Sequence, residues 1–159
     1  WVGGSGEVVY GEQVHVPCLI RLPQDRGAAV RCHGLVQPPD LCASLSDALQ
    51  LAAGDQPRWG QSLLPLAAES LPWRDRAATT APAVQALRTP AWMLVRGQDG
   101  RRELFAKPDD RWEANEVANR CQQAVEQLNE ALDEFQRAAQ SAQPAQLSPL
   151  SDLLLEGIR

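Results

Sequence analysis

The sequence is poor in the side chains that most often move protons at neutral pH. Among 159 residues there is one lysine, Lys107, and there are two histidines, His15 and His33. Lysine and histidine are among the usual general acids and bases, so little of that equipment is present. No run of apolar residues is long enough for a membrane-spanning helix. Basic clusters are missing too. Lys and Arg total 15 against 20 Asp and Glu, for a formal net charge of −5. Nucleic acid is therefore not an expected partner, because counterion release needs clustered cations.

Catalytic signatures are scarce as well. No GxGxxG, P-loop, HExxH or GxSxG occurs, and those spacings are what phosphate cradles, zinc sites and nucleophile elbows require. Gly3-Gly4-Ser5-Gly6 is glycine-rich, but no strand leads into it and no helix start follows, so it reads as a loop. Cys18, Cys32, Cys42 and Cys121 fit neither CxxC nor zinc spacing. They read as reduced, mostly buried thiols acting as small hydrophobes, with a Cys18–Cys32 disulfide between neighbouring strands as the alternative. The chain starts at Trp1 without a basic region and apolar stretch behind it. No secretory leader is visible, the start reads as a boundary, and the compartment stays open.

What is there suffices for a core. Hydrophobic residues make up 44% and charged residues 22%, the balance of a folded domain rather than a disordered chain. A chain of this length buries roughly 68–70% of its unfolded surface. Val14, Val16, Cys18, Ile20 and Leu22 alternate with His15, Pro17, Leu19 and Arg21. Period two predicts a strand, and Pro17 places it at an edge or bulge. Residues 28–36 read as a second strand, ended by Pro38-Pro39. Leu41, Leu45, Ala48, Leu49 and Ala52 recur at three and four, predicting a helix over 40–53, capped by Asp40 and stopped by Gly54. Residues 56–89 are proline-interrupted and irregular. Trp92 to Val95 and Glu103 to Phe105 flank the turn Gln98-Asp99-Gly100, an antiparallel hairpin over 91–106.

Residues 110–139 read as helical. Val117, Cys121, Ala124, Leu128, Ala131, Phe135 and Ala138 keep a four-three spacing, and Val125 and Leu132 widen the stripe. So wide a face suits packing on a sheet. Asp110 and Glu113 have capping-box spacing. Residues 141–148 form a Pro/Gln/Ser linker, and Leu150 to Ile158 is a short apolar tail that should dock. The order gives an α+β fold, a small antiparallel sheet packed by a long C-terminal amphipathic helix.

Three groups of residues are candidates for chemistry, and each has a simpler reading. His15 and His33 could face each other across two strands, but a metal site needs a third ligand, for which Glu12 and Asp40 are the nearest guesses. Two satisfied or solvent-facing histidines are simpler. Asp109, Asp110, Glu113 and Glu116 lack the alternating ligands and central glycine of a calcium loop, and negative charge at a helix N-terminus is favourable by itself. Trp59, Trp73, Trp92 and Trp112 share no stripe, so core and rim packing is expected. Composition and spacing thus assign no catalytic, cofactor-binding or metal-ligating residue.

Several stretches, in order, resemble the C-terminal part of the sulfatases of the alkaline-phosphatase superfamily. Val9-Tyr10-Gly11-Glu12-Gln13-Val14-His15-Val16-Pro17 looks like the family's "LYEESVRVP", and Cys18-Leu19-Ile20-Arg21-Leu22-Pro23 like "LIIRLP". Leu35-Val36 with Asp40-Leu41-Cys42-Ala43-Ser44-Leu45 resembles "LVSHVDLFPTLL". Gly60-Gln61-Ser62-Leu63-Leu64-Pro65-Leu66 resembles "GRSLLPLL". Ala86-Leu87-Arg88-Thr89 and Trp92-Met93-Leu94 look like "AIRTGRWKLI". Glu103-Leu104-Phe105 with Asp109-Asp110-Arg111-Trp112-Glu113-Ala114-Asn115 and Val117-Ala118 is similar to "ELYDLENDPWENNNLA". The matches cover roughly residues 8 to 135, and the variant "KPDDRWE" is similar to sulfatases of planctomycete-like bacteria.

The resemblance implies a piece of a larger hydrolase of sulfate esters, acting on a sulfated small molecule or polysaccharide. Residues 1–54 would end the catalytic α/β domain, with the first strand belonging to its sheet. Residues 55–140 would form the C-terminal subdomain, and 141–159 a linker and docking tail. The family's nucleophile is a formylglycine made from the Cys or Ser of a C/S-x-P-x-R motif, working with a divalent cation, usually calcium. No such motif is expected in this chain, since Pro23 is followed by Gln24 and none of the four cysteines has the right neighbours, so nucleophile and cation ligands are expected upstream. Many members place a sulfate-binding Lys four residues before the Tyr; here that position is Gly6, and Ser5 and Glu7 do not replace it. The resemblance also implies a helix proper starting near Arg120, with 110–119 as a capped turn. Two other readings stand beside this one. The piece could be a free-standing binding module that dimerises through an unpaired first strand, or its parent could act on phosphate or phosphonate esters.

Overall fold

The computed structural model of the chain describes residues 9–25, 29–51, 59–65, 74–141 and 147–158. Its centre is a four-stranded antiparallel meander of β1 (Ala77–Thr80), β2 (Val84–Arg88), β3 (Trp92–Gly97) and β4 (Arg102–Ala106), paired in that order. The expected hairpin is β3–β4, in register from Trp92 opposite Ala106 to Arg96 opposite Arg102. Gly100 makes its turn possible at φ +84°, a region open to glycine at no steric cost. Strands β1 and β2 lie inside the stretch expected to be irregular. Pro82 sits in their connection, where Ala81 N–H donates to the Val84 carbonyl at 2.8 Å, so the proline interrupts no ladder.

Both faces of the sheet are covered. Leu87, Trp92, Leu94 and Leu104 pack against Ala124, Val125, Leu128, Ala131 and Leu132 of α3 (Gln122–Gln140). On the opposite face Val84, Ala86, Met93, Val95 and Phe105 pack with Val9, and Tyr10 closes the edge. This double coverage explains why β3 reads as an unbroken apolar run. Helix α3 begins after Cys121, close to the start the resemblance implied. The periodic reading began it too early, because residues 110–119 form turns held by side chains. The apolar tail docks as expected. Its helix α4 (Asp152–Glu156) buries Leu154 in the α3 side of the core.

The N-terminal part departs from the sequence reading. Residues 11–14 form a helical turn, α1 (Gly11–Val14), and residues 15–22 and 30–37 are in neither helix nor strand. Alternating side chains mark a strand only where partner strands supply hydrogen bonds and a surface to cover. Here Val16 and Leu19 lie 75% and 94% exposed. Helix α2 (Pro38–Ala48) starts two residues earlier than expected because Gln37, not Asp40, is its cap. Gln37 N–H donates to Asp40 Oδ2 at 2.7 Å, a reciprocal capping box. Cys18, Cys32 and Cys42 are exposed rather than buried and in no disulfide, and Cys121 is half-buried. The expected Cys18–Cys32 alternative is not formed.

Candidate functional site

The densest polar cluster beyond the sheet sits where β4 runs out into the turns of residues 107–119. Lys107, the sole lysine, is nearly buried together with Glu113, with which it forms an ion pair; its ammonium also donates to the Asp110 carbonyl. Glu113 has φ +52°, unusual for a side-chain-bearing residue, and its second carboxylate oxygen accepts from Gly11 N–H at 3.2 Å. The pair thereby ties the β4 exit to α1. Arg88 is desolvated here, which lowers its pKa to about 10 while the Glu113 charge opposes the fall. Tyr10 donates to Glu103 Oε2 at 2.5 Å; that bond and burial push the phenol up to about 12.

Of the acidic residues expected to act as helix-terminal charge, Asp110 and Glu116 instead organise backbone. Asp110 accepts from Ala114 N–H and Asn115 N–H, both at 2.9 Å. Burial is the largest single influence on its carboxyl and pushes it up, but those bonds, Lys107 and Trp112 N–H together hold it below the ordinary value. Glu116 accepts from Leu104 N–H at 3.2 Å and Ala118 N–H at 2.5 Å. These carboxylates are committed to amides and to Lys107, so they do not fit a divalent cation. Among the described residues no three His, Cys, Asp or Glu gather as a metal cluster. His15 and His33 are both exposed.

A second buried ionic cluster lies at α2. Asp40 is sealed from solvent and paired with Arg74. Its Oδ1 also accepts from Gln61 N–H at 2.9 Å, while Ser44 Oγ donates to the Asp40 carbonyl at 2.6 Å and accepts from Leu63 N–H at 2.8 Å. Asp40 and Ser44 thus lace the 60–64 strap onto α2, and Asp40 is unavailable as a metal ligand. Of the tryptophans, Trp92 is core, Trp59 packs on Phe135 with ring centroids 5.9 Å apart, and Trp112 is 73% exposed. Trp73, Gly6, Ser5 and Glu7 lie outside the described residues.

No protein-family model matches the chain, and no curated protein is similar to it. Solved structures share its fold, BT1596 and BT4656 among them. BT1596, described as a 2-O GAG sulfatase, has a TM-score of 0.53 at 16% identity, covering 72% of this chain and 27% of its own. BT4656, solved in complex with its substrate D-glucosamine-2-N,6-O-disulfate, has a TM-score of 0.52 at 21% identity, covering 64% of this chain and 24% of its own. The chain has a sulfatase-like fold. It spans about a quarter of the length of either neighbour.

The expectation that the chain holds no C/S-x-P-x-R motif is wrong for one pentapeptide. Ser70-Leu71-Pro72-Trp73-Arg74 spells S-x-P-x-R. Its first four residues are outside the described part, and Arg74 is held by buried Asp40 and by Gln37 Oε1 at 3.1 Å. The Lys107–Glu113 and Asp40–Arg74 pairs were also missed; paired opposite charges at 6 and 34 residues' separation carry no periodic signal.

Proposed function

We propose that the chain is the C-terminal portion of a sulfatase-like hydrolase, of the planctomycete-like bacterial type, whose parent cleaves sulfate esters of a small molecule or polysaccharide. The observation that carries this reading is the match of up to 72% of this chain to about a quarter of a solved GAG sulfatase. In this reading residues 1–54 close the catalytic domain, 55–140 form the subdomain and 141–159 tether it. The distribution of exposed apolar side chains supports it. Val14, Val16, Leu19, Ile20, Val30 and Val36, together with Leu41, Leu45, Leu49 and Leu51, all lie at least 38% exposed. In the described part beyond residue 51, only Trp112 and Ile158 are large apolar side chains so exposed. Exposed apolar side chains concentrated in one part of the sequence suit a contact with a partner, and in this reading the partner is the catalytic domain of the same parent.

The nucleophile, a formylglycine, and a calcium ion would then belong to the rest of the parent. Ser70 is a poor substitute, because Arg74 of its pentapeptide is consumed by Asp40. The residues that precede Trp1 in the intact protein test the reading: a C/S-x-P-x-R motif and an acidic cation-binding motif are expected there. A different nucleophile motif would move the parent to phosphate or phosphonate esters, and an unrelated sequence would overturn the reading.

A further inference from the structure

Trp112 is the one large aromatic side chain left in solvent among the described residues. It sits on a turn held by several side-chain and backbone bonds. The Asp110 carboxylate holds the next two amides after the ring's own neighbour, Glu113 is bolted to Lys107, and Asp110 N–H returns to the Ala106 carbonyl at 3.0 Å. The Arg111 guanidinium lies 5.1 Å from the ring centroid, a cation–π contact that fixes the indole further. Beside it opens a concave space of about 410 Å³, lined by Asp109, Arg111, Trp112 and Asn115 with an apolar floor that includes Ala106 and Val117. The side chains of Asp109 and Asn115 make no hydrogen bond to other described residues.

A rigid exposed aromatic face costs little entropy to stack on, and the apolar C–H face of a pyranose is its natural complement. Free carboxylate and carboxamide groups at the rim match ring hydroxyls. A guanidinium at the same rim suits a sulfate, since Arg binds such oxyanions in a fork. We propose that Trp112 and Arg111 form a saccharide subsite that takes one sulfated sugar ring, outside any centre that cleaves the ester. The inference rests on the sulfatase reading for the sulfated class of sugar, but the stacking platform itself stands on this chain's geometry.

The test is titration of the 159-residue chain with a heparin tetrasaccharide and with its desulfated, N-acetylated counterpart, followed by calorimetry at fixed salt. Trp112→Ala should weaken both interactions about tenfold, and Trp112→Phe should retain part of the binding. Arg111→Gln should weaken binding of the sulfated form more than that of the desulfated one and so remove the preference between them. Equal binding by the Trp112→Ala protein, with an unaltered melting curve, would overturn the proposal. So would binding that depends on salt alone and survives both substitutions. Saccharide binding through Trp112 in a protein whose parent hydrolyses no sulfate would leave this subsite standing and refute the sulfatase reading.

Discussion

The hydroxyl of Thr89 donates to the carbonyl oxygen of Leu154 at 2.7 Å, and both residues are sealed from solvent. Thr89 Oγ1 in turn accepts from Trp92 N–H at 3.1 Å, and Trp92 Nε1 donates to the Leu153 carbonyl at 2.8 Å. One threonine therefore fastens the tail to the sheet. Thr89→Val keeps the shape but strands a buried carbonyl and a buried amide, at a cost of about 1–3 kcal/mol. Urea unfolding should record that loss, and limited proteolysis should cut earlier within residues 147–158. Thr89→Ser should restore most of both. Unchanged stability of the valine variant would mean that the tail is held by Leu154 packing alone.

Gly60 and Asp40 should be the intolerant positions of the 60–64 strap. A Cβ at Gly60 would lie 2.1 Å from the Pro39 carbonyl oxygen, so Gly60→Ala must push the strap off α2. Asp40→Ala leaves the Arg74 guanidinium without its buried counter-charge, a loss of about 3–5 kcal/mol for such pairs. Both variants should lower the unfolding midpoint, and the neighbouring exposed change Leu45→Ser should not move it by more than about 0.5 kcal/mol. Leu128→Ala, inside the core, should cost about 2–5 kcal/mol.

Two carboxylates contribute to the acid limb of stability. Asp110 lies below its ordinary 3.8 for the reasons given above, and Glu134 lies below 4.5 because Ser148 N–H and its hydroxyl donate to it. A depressed carboxyl contributes stability above its unfolded value and loses it as pH falls through the folded value. Melting temperature should therefore stay level down to roughly pH 5 and decline below it. Asp110→Asn and Glu134→Gln should each flatten that decline; an unaltered acid limb would contradict these bonds.

The chain has a single tyrosine, so ultraviolet titration reads Tyr10 alone. It should ionise near 12, and Glu103→Gln should bring it back toward 10.0. Because the phenol's value is raised in the folded state, its contribution is complete below its unfolded value and is lost as pH rises through about 12. Ionisation of the parent chain near 10.0 would mean that the Glu103 bond is absent in solution.

The C-terminal elements were legible because each carries a local or periodic signal. The Gly100 turn between two apolar runs gave the hairpin, and the spacing from Ala124 to Ala138 gave the helix. Strands β1 and β2 were hidden by Pro82, which looks like a breaker in sequence but falls in a connection. Residues 14–22 carried a clear strand pattern that the structure does not use, since alternation reports a surface waiting to be covered, not the partner that covers it. The Lys107–Glu113 bolt and the Asp40–Arg74 pair join residues by tertiary contact alone. Trp112 was expected in core or rim packing; nothing in the spacing distinguishes an exposed tryptophan from a buried one.

In the proposed reading this chain closes a sulfatase-like hydrolase without carrying its chemistry. Hydrolysis of a chromogenic aryl sulfate by the purified 159-residue chain, with calcium present and Ser70→Ala as the control, tests it most directly. No turnover above the blank, together with an intact mass that leaves Ser70 unmodified, is the expected result. Turnover that disappears in the Ser70→Ala protein would overturn that reading.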